Sequence, residues 1–368
     1  MVLKSSLFIL KHGSIWTYRL ATYTVLAVGI IFVALVMGLR YVVLPNINDY
    51  REPIGQAISR AAGQRVAIGA ITGSWQGYRP QLSFHDVHIF DSRNQQALSL
   101  GRVEAALSWL SLLDAEVRFD TIEIVEPELE VRRDAAGMLW VAGIAVGPSR
   151  RGDGGFANWL LTQPQVVVRN AQIVWRDEAR AAPDLMLTKV NFRLDTDGER
   201  HSFGLSASPP ANVASEIVAR GDLWGRSSHD LHAWRGRLYL EFASADLAQA
   251  QTWIAAPIDV AHGLGSMSVW MDLENSSVAA ATADLRLVDI QARLAPDLPE
   301  LALSSLRGRL GWDRRGARTQ ITAQSLGFTT VDGLTLAPMQ LTFNRTATDD
   351  GGRRSELRLE KVDLAPVV

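Results

Sequence analysis

The alternation of apolar and polar residues along this chain changes phase inside single segments. In TIEIVEPELEV, Ile122 and Ile124 are apolar on even positions, whereas Leu129 and Val131 are apolar on odd positions. Strict alternation predicts a β-strand with one apolar face, and one extra residue moves all later side chains to the other face. A β-bulge supplies that residue and also bends and twists the strand. The change of phase therefore predicts a bulge or tight turn at Glu126-Pro127, with all four apolar side chains on one face.

The same change of phase recurs in three other segments, which indicates a strongly coiled sheet rather than a flat one. Other segments keep one phase, so that their apolar residues share one side of a strand throughout. The apolar residues before and after each change are Leu82 and Phe84, then Val87 and Ile89; Val166 and Val168, then Ile173 and Trp175; and Leu285 and Leu287, then Val288 and Ile290. The segments without a change include Leu238, Leu240 and Phe242, which alternate with Arg237, Tyr239 and Glu241, and also Val269, Met271 and Leu273.

Period-two alternation begins at Val66 and continues through most of the chain, so the predicted fold class is mainly β. Asp, Asn and Gly end many of the segments, and these residues favour turns. Short strands with turns every ~10–20 residues favour an antiparallel meander. The candidate strands are Gln81–Phe90, Phe119–Val131, Gln165–Trp175, Thr188–Leu194, Ser202–Ala207, Glu216–Leu223, Gly236–Phe242, Ser266–Leu273, Ala283–Leu294, Leu301–Trp312, Thr319–Leu326, Met339–Phe343 and Glu356–Val362.

One segment near the N-terminus, Leu20–Leu39, contains no charged residue. Its twenty residues at ~1.5 Å rise span ~30 Å as a helix, which is the thickness of the hydrocarbon core of a bilayer. No good small-x-small cleavage site follows it, so an uncleaved anchor is favoured over a signal peptide. Lys4, Lys11 and Arg19 precede it, which predicts a cytoplasmic N-terminus and a single pass. Everything after Tyr41 is then expected on the far side of the membrane.

Few other helices are predicted. An amphipathic helix over Asn46–Ala62 would be bent or divided at Pro53 and ended by Gly63. Phe156–Thr162 and Asp246–Ala256 are short helical candidates, and Glu104–Leu113 is ambiguous. The loop at Gly147–Gly155 is the best internal boundary. The predicted organisation is a tail and anchor over residues 1–44, a helix and strands over 45–146, and a continuing twisted sheet over 147–368.

The apolar face of so many strands needs a cover, and the short helices cannot supply it. The sheet either closes on itself as a barrel or sandwich, or curls into an open trough whose apolar inside meets an apolar ligand. Pattern alone leaves both possibilities open.

Composition and motifs exclude several classes of function. A net charge of -2 gives no support to nucleic-acid binding, and the absence of cysteine excludes disulfides, Cys-ligated zinc and thiol catalysis. Walker, G-x-S-x-G and HExxH motifs do not occur. The pairs His85/His88 and His229/His232 have spacings that suit solvated surface residues better than a metal site. Neither a catalytic site, a metal site nor a cofactor is expected.

Two stretches resemble the AsmA-like family of bacterial envelope proteins, and most closely its long YhdP-type members. RAAGQRVAIGAITGSWQGYRPQLSFHDVHIFDS (60–92) is similar to a family signature of glycine, strand, Gly-Trp-Gly, proline and a strand ending in aspartate. The stretch at 98–144 is similar to the next family segment, in which an apolar helix-like stretch precedes a strand, a Glu-Pro pair, and a strand that ends in Arg-Asp and a glycine turn. The matching structural positions are Gly63, Gly73, Trp75, Gly77, Pro80, Asp91, Pro127 and Asp134.

The resemblance implies a chorein-like N-terminal region and a long twisted sheet, folded like a taco shell, that carries phospholipid acyl chains from the inner membrane through the periplasm. It favours the open trough, and it leads us to expect an N-terminal fragment or a truncated product, since YhdP-type proteins are longer. The competing function is an envelope scaffold that binds outer-membrane or periplasmic proteins through sheet edges. The groove-lining candidates are Ile122, Ile124, Leu129, Val131, Val166, Val168, Ile173, Trp175, Leu238, Leu240, Phe242, Val269, Met271 and Leu273.

Overall fold

A computed structural model describes twelve stretches of the chain, among which the helices are few. These stretches are residues 3–77, 79–90, 96–109, 119–146, 155–226, 233–253, 259–275, 277–293, 295, 297–316, 318–347 and 353–360. The helices are α1 (Leu3–Gly38), a π-helical turn (Leu39–Val43), a 3-10 segment (Leu44–Tyr50), α2 (Arg51–Ala62), α3 (Gly155–Thr162) and α4 (Leu247–Ala250).

The described strands form one sheet of eighteen strands, which confirms the mainly β prediction. They are β1 (Val66–Gln76), β2 (Arg79–Phe90), β3 (Gln96–Leu107), β4 (Phe119–Val125), β5 (Glu128–Arg133), β6 (Leu139–Val141), β7 (Ile144–Val146), β8 (Gln165–Asp177), β9 (Leu185–Asp197), β10 (Arg200–Ser208), β11 (Ile217–Trp224), β12 (Arg235–Asp246), β13 (Asp259–Glu274), β14 (Ser277–Arg293), β15 (Leu301–Arg315), β16 (Arg318–Thr330), β17 (Thr335–Ala347) and β18 (Arg353–Glu360).

Helix α1 contains the segment predicted to cross a membrane. Within the described residues it is the one helix long and apolar enough to do so, and the window that qualifies is not buried by the protein. The helical path breaks at Asn46, whose backbone is not helical (φ -108°, ψ 17°). The prediction of a bend at Pro53 was wrong, because Pro53 lies in the first turn of α2, where its missing N–H is not needed. Gly63 ends α2 with φ 67°.

The sheet is a meander with one exception to antiparallel pairing. Strand β8 runs parallel to both β4 and β5, which follow one another along the same edge of β8. The predicted antiparallel meander did not include this parallel pairing. Between β5 and β8 the chain passes through β6, β7 and α3 and returns to the end of the sheet at which β4 began, as a connection between parallel strands requires. Strands β6 and β7 were absent from the predicted strands, and residues 104–107 of the ambiguous segment belong to β3.

The changes of phase occur at polar residues with positive φ. These residues are Asp86 (φ 52°), Glu126 (52°), Asn170 (52°), Lys189 (50°), Asp289 (52°) and Ser325 (52°). The flip in β14 occurs one residue later than expected, because Val288 is 46% exposed and Ile290 is the residue that returns to the face of Leu287. The pairing shifts register near Asn170, Lys189, Asp289 and Ser325, as at a β-bulge, which bends its strand. Across Asp86 and Glu126 the pairing keeps its register, so the face changes there without a bulge in the ladder.

The sheet does not close on itself. Strand β1 pairs with β2 and strand β18 pairs with β17, and no pairing joins β1 to β18 within the described part of the chain. The free edges of the two outer strands, β1 and β18, differ in what covers them. At β1, the Ile71 N–H donates to Asn48 Oδ1 (3.0 Å) and the Val66 N–H donates to Ser59 Oγ (2.8 Å). Side chains from the 3-10 segment and α2 therefore occupy the free edge of β1.

Candidate functional site

Two rows of apolar residues cross fifteen strands without a polar interruption. Residues that pair directly between neighbouring strands project from the same face of a sheet, so the register defines each row. The first row is Ile71, Phe84, Val103, Ile124, Val168, Phe192, Leu205, Ala219, Leu240, Val269, Ala283, Leu310, Ala323, Leu341 and Leu359. The second is Gly73, Leu82, Ala105, Ile122, Val166, Leu194, Phe203, Gly221, Leu238, Met271, Ala281, Trp312, Ile321, Phe343 and Leu357. We call the face that carries both rows the inner face.

The opposite, outer face is polar and carries ion pairs between neighbouring strands. Arg200 donates to Asp222 from β10 to β11 (2.8 Å), and Arg309 donates to Asp284 from β15 to β14 (2.7 Å). Arg169 on β8 pairs with Glu123 on β4. The hydrogen bond from Arg200 lowers the pKa of Asp222, and the hydrogen bond from Arg309 lowers the pKa of Asp284. Such exposed pairs add little stability. They keep the outer face hydrated and therefore chemically distinct from the apolar inner face.

Exposure of the inner face increases from the first strands to the last. Leu82 is 1% exposed and Ile122 is 6% exposed, whereas Ile321 is 40% exposed and Leu357 is 57% exposed. Monomeric soluble proteins rarely expose contiguous apolar patches beyond a few hundred Å². A row of half-exposed apolar side chains across many strands is therefore a surface suited to contact with an apolar partner.

Helical elements cover the inner face at its N-terminal end. Leu44 and Ile47 of the 3-10 segment, Ile54 and Ile58 of α2, and Trp159 of α3 pack on the buried cluster of β1–β4. The approach is close at Gly73, where a Cβ atom would lie 2.7 Å from Leu44 Cδ2. An apolar cavity of about 70 Å³ remains beneath α2 and α3, far below the ~300–1,000 Å³ of ordinary ligand pockets. The helix-covered end of the inner face is thus a packed core, and the open part of the inner face begins after β1–β4.

The structure places all fourteen groove-lining candidates on the inner face. Eight belong to the two rows: Ile122, Ile124, Val166, Val168, Leu238, Leu240, Val269 and Met271. Beyond the changes of phase, Leu129 pairs with Ile173 and Val131 pairs with Trp175, and Ile173 packs in one cluster with Val168. Phe242 and Leu273 lie two positions from row members of their own strands and so share their face.

The groove-lining candidates predicted from the sequence did not include the row residues of β9, β10, β11 and β14–β18. Period-two alternation was visible in most of these strands, and extending each apolar face along the meander would have found residues such as Phe192, Leu310 and Ile321. Ala219, Ala283 and the glycine at 221 carry almost no hydrophobic signal, and only the register assigns them.

The family-motif positions have local structural roles. Gly77 forms the β1–β2 turn with φ 60°, and Pro80 is fully buried. The Pro127 carbonyl accepts from the Gln172 N–H (3.0 Å) between β4 and β5. Asp134 accepts from the Ala136 and Met138 amides and from Trp140 Nε1 (2.9 Å) at the β5–β6 turn, and the hydrogen bond from Trp140 lowers the pKa of Asp134. Asp91 lies outside the described residues.

Comparisons with known proteins agree with this architecture. The model of the YhdP protein family matches residues 1–368. The intermembrane phospholipid transporter YhdP of Escherichia coli (strain K12) is 34% identical over 94 residues, an alignment that covers 25% of this chain and 7% of the E. coli protein. The aligned part is therefore a small fraction of that relative, whereas the family match extends over every residue here. The chain belongs to the YhdP protein family.

Proposed function

We propose that this chain is an inner-membrane-anchored lipid-transfer protein whose inner face carries phospholipid acyl chains through the periplasm toward the outer membrane. The observation that carries the proposal is the pair of apolar rows, which continue across fifteen strands. Helical elements cover the rows on β1–β4, and the eleven remaining strands of the rows have ten spacings of ~4.8 Å, which gives an uncovered path of ~48 Å. The name of the E. coli relative, an intermembrane phospholipid transporter, supports the same function.

Acyl chains suit this surface better than other apolar partners. Each buried CH₂ contributes about 0.8 kcal/mol, and a curled open sheet lets a chain lie along the rows while its headgroup stays in water. The rows contain no charged side chain that could bind a headgroup. We therefore propose that tails rather than headgroups are recognised. No metal-ligand group of three or more acidic or histidine side chains occurs in the described residues, and we propose no enzymatic activity.

Photo-crosslinking from two neighbouring positions tests the proposal. Leu240 lies on the inner face and Tyr239 on the outer face of the same strand. A photoreactive phenylalanine at position 240 is expected to capture phospholipid in membranes, and the same residue at position 239 is not. Mass spectrometry of the adducts would identify the lipid. Equal capture at both positions, or capture at neither, would reject the proposed role of the inner face.

The second proposal concerns orientation. Basic residues precede Leu20–Leu39, and α1 has the length of a bilayer span, so we propose a cytoplasmic N-terminus and a periplasmic sheet. Alkaline phosphatase fused after Val146 is expected to be active, and the protein should stay with membranes in carbonate. An inactive fusion that is stably produced would reverse the orientation, and release by carbonate would exclude the anchor.

A scaffold function is the alternative, and one observation favours it. Leu357 and Leu359 on β18 are 57% and 53% exposed, and β18 pairs only with β17 among the described strands. An exposed edge of this kind can template another strand. The free edge of β1 offers no such template, because Asn48 and Ser59 already accept its N–H groups. Capture of protein rather than lipid at position 240 would favour the scaffold.

A further inference from the structure

We infer that the sheet makes a second contact with the membrane, in which the Trp109 indole enters the acyl region of the periplasmic leaflet beside helix α1. The inference rests on the anchor and its orientation, and it does not require lipid in the trough. Four side chains carry it: Arg40 and Phe32 of the anchor segment, and Trp75 and Trp109 at the ends of β1 and β3.

The contact between Trp109 and Phe32 fixes the depth. Their ring centroids are 5.8 Å apart. Phe32 precedes Arg40 by eight residues, so it lies ~12 Å along the helix from Arg40 at 1.5 Å per residue. Helical side chains also lean toward the helix N-terminus. The ring of Trp109 therefore lies well below the level of Arg40, within the part of α1 that matches the hydrocarbon core.

Arg40 and Trp75 mark the membrane boundary above this contact. The Arg40 guanidinium carbon lies 5.4 Å from the centre of the Trp75 ring and 5.8 Å from the centre of the Tyr41 ring. Arginine at the end of a span extends its charge to the interface, where tryptophan and tyrosine are enriched. The Trp75 and Trp109 rings meet edge to face at 6.0 Å, so the contact descends from the interface to Phe32 without a gap.

Protein packing leaves room for lipid around this contact. Ile31 is 64% exposed, Phe32 is 52% exposed even beside Trp109, and Val33 is 56% exposed. The remaining surface of α1 must face acyl chains, so a ring that packs on Phe32 is surrounded by them as well. Irregular backbone is not tolerated in lipid-facing hydrocarbon, and we expect the side chain to carry the insertion. Interfacial elements commonly bury their apolar side ~5–10 Å, which fits an indole below Trp75.

Single cysteines test the inference, because the native chain has none. Trp109→Cys, Val33→Cys in the anchor and Trp270→Cys on the outer face of β13 would each carry an environment-sensitive fluorophore in the full chain, reconstituted in nanodiscs. The quencher is a nitroxide-labelled membrane-spanning lipid. It has a headgroup at each end and cannot leave the bilayer for the trough. Circular dichroism would confirm that each labelled variant is folded.

The fluorophore at position 109 is expected to lose most of its emission, as at position 33, while the emission at position 270 is unchanged. Quenching at 109 no greater than at 270 would overturn the inference, even if position 240 still captures lipid. Conversely, quenching at 109 with no lipid capture at 240 would support the membrane contact and reject only the proposed transport.

Discussion

Leu240→Asp is expected to slow the passage of lipid along the inner face by about 100-fold while the sheet stays folded. A carboxylate among acyl chains loses its hydration, and a penalty of about 3 kcal/mol at that step corresponds to a rate lower by about 100-fold. The sheet should survive because Leu240 is only partly buried in a trough that the structure leaves open, and water can reach the carboxylate whenever the lipid is absent.

Photo-crosslinking on either side of β12 measures this effect. In the proposed direction of transfer, away from the membrane anchor, lipid that has entered the rows beyond the helix-covered strands meets Leu205 on β10 before Leu240, and Leu310 on β15 after it. Leu240→Asp should leave labelling at position 205 intact and reduce the initial rate of labelling at position 310. Tyr239→Asp adds the same charge to the outer face and should change neither rate. Unchanged labelling at 310 in Leu240→Asp would show that lipid does not follow the rows.

Arg133→Leu is expected to destabilise the β5–β8 pairing by about 3 kcal/mol, the lower end of the range for breaking a buried ion pair. The Asp177 side chain is fully buried, and Arg133 Nε donates to Asp177 Oδ1 at 2.9 Å. Without the guanidinium, a buried carboxylate remains unpaired. We expect the lower end because the sheet is one layer thick and water lies close on its outer side. Hydrogen exchange of the β5 and β8 amides would measure the loss.

The neighbouring pair, Arg132 on β5 and Glu178 directly after the end of β8, serves as a control. Arg132 donates to Glu178 at 3.1 Å, and both side chains are substantially exposed. Arg132→Leu should therefore cost less than about 1 kcal/mol. A similar cost for both variants would mean that burial of Asp177 does not matter.

The Arg133–Asp177 pair also has a defined pH dependence. The hydrogen bond from Arg133 is the main cause of the lowered pKa of Asp177, whose ordinary value is 3.8. A carboxyl group with a lowered folded-state pKa stabilises the fold at neutral pH and loses that contribution as the pH falls through the folded-state pKa. In Arg133→Leu, the main cause that lowers this pKa is removed, and burial, which raises the pKa, is opposed by the smaller effects of the Arg180 amide and the Arg180 charge. The difference between the two proteins should therefore be greatest at neutral pH and shrink in acid.

The sequence predicted the apolar N-terminal helix, the β-rich fold and the changes of strand face because each leaves a local pattern. An uncharged run of twenty residues, an alternation and a change of phase can all be read within a few residues of one another. Asp86, Asn170 and Asp289 illustrate the limit, since the flip is visible but the residue at which it occurs is fixed only by its backbone conformation.

The remaining features of the fold depended on contacts between residues that lie apart in the sequence. The parallel pairing of Ile122 with Val166 joins residues that the loop and α3 separate, and no local pattern records it. Whether the sheet closes is decided by its two outer strands. At β1, Asn48 and Ser59 lie 23 and 7 residues before the amides that they bind. The buried state of Asp177 could not be predicted either, because a charged residue at a strand end is usually solvated.

The open sheet has a consequence for cooperativity. Within the described residues, each strand from β9 to β17 pairs with the strand before it and the strand after it and with no other strand. The stability of this part of the sheet therefore resembles that of a linear array with nearest-neighbour coupling. Opening can then begin at one strand and stop a few strands later, and a single free energy of unfolding does not describe the whole. An acyl chain lying across several strands would join strands that do not otherwise touch. Bound lipid would thus act as a removable hydrophobic core, and the protein without lipid would open locally more easily than the protein with lipid.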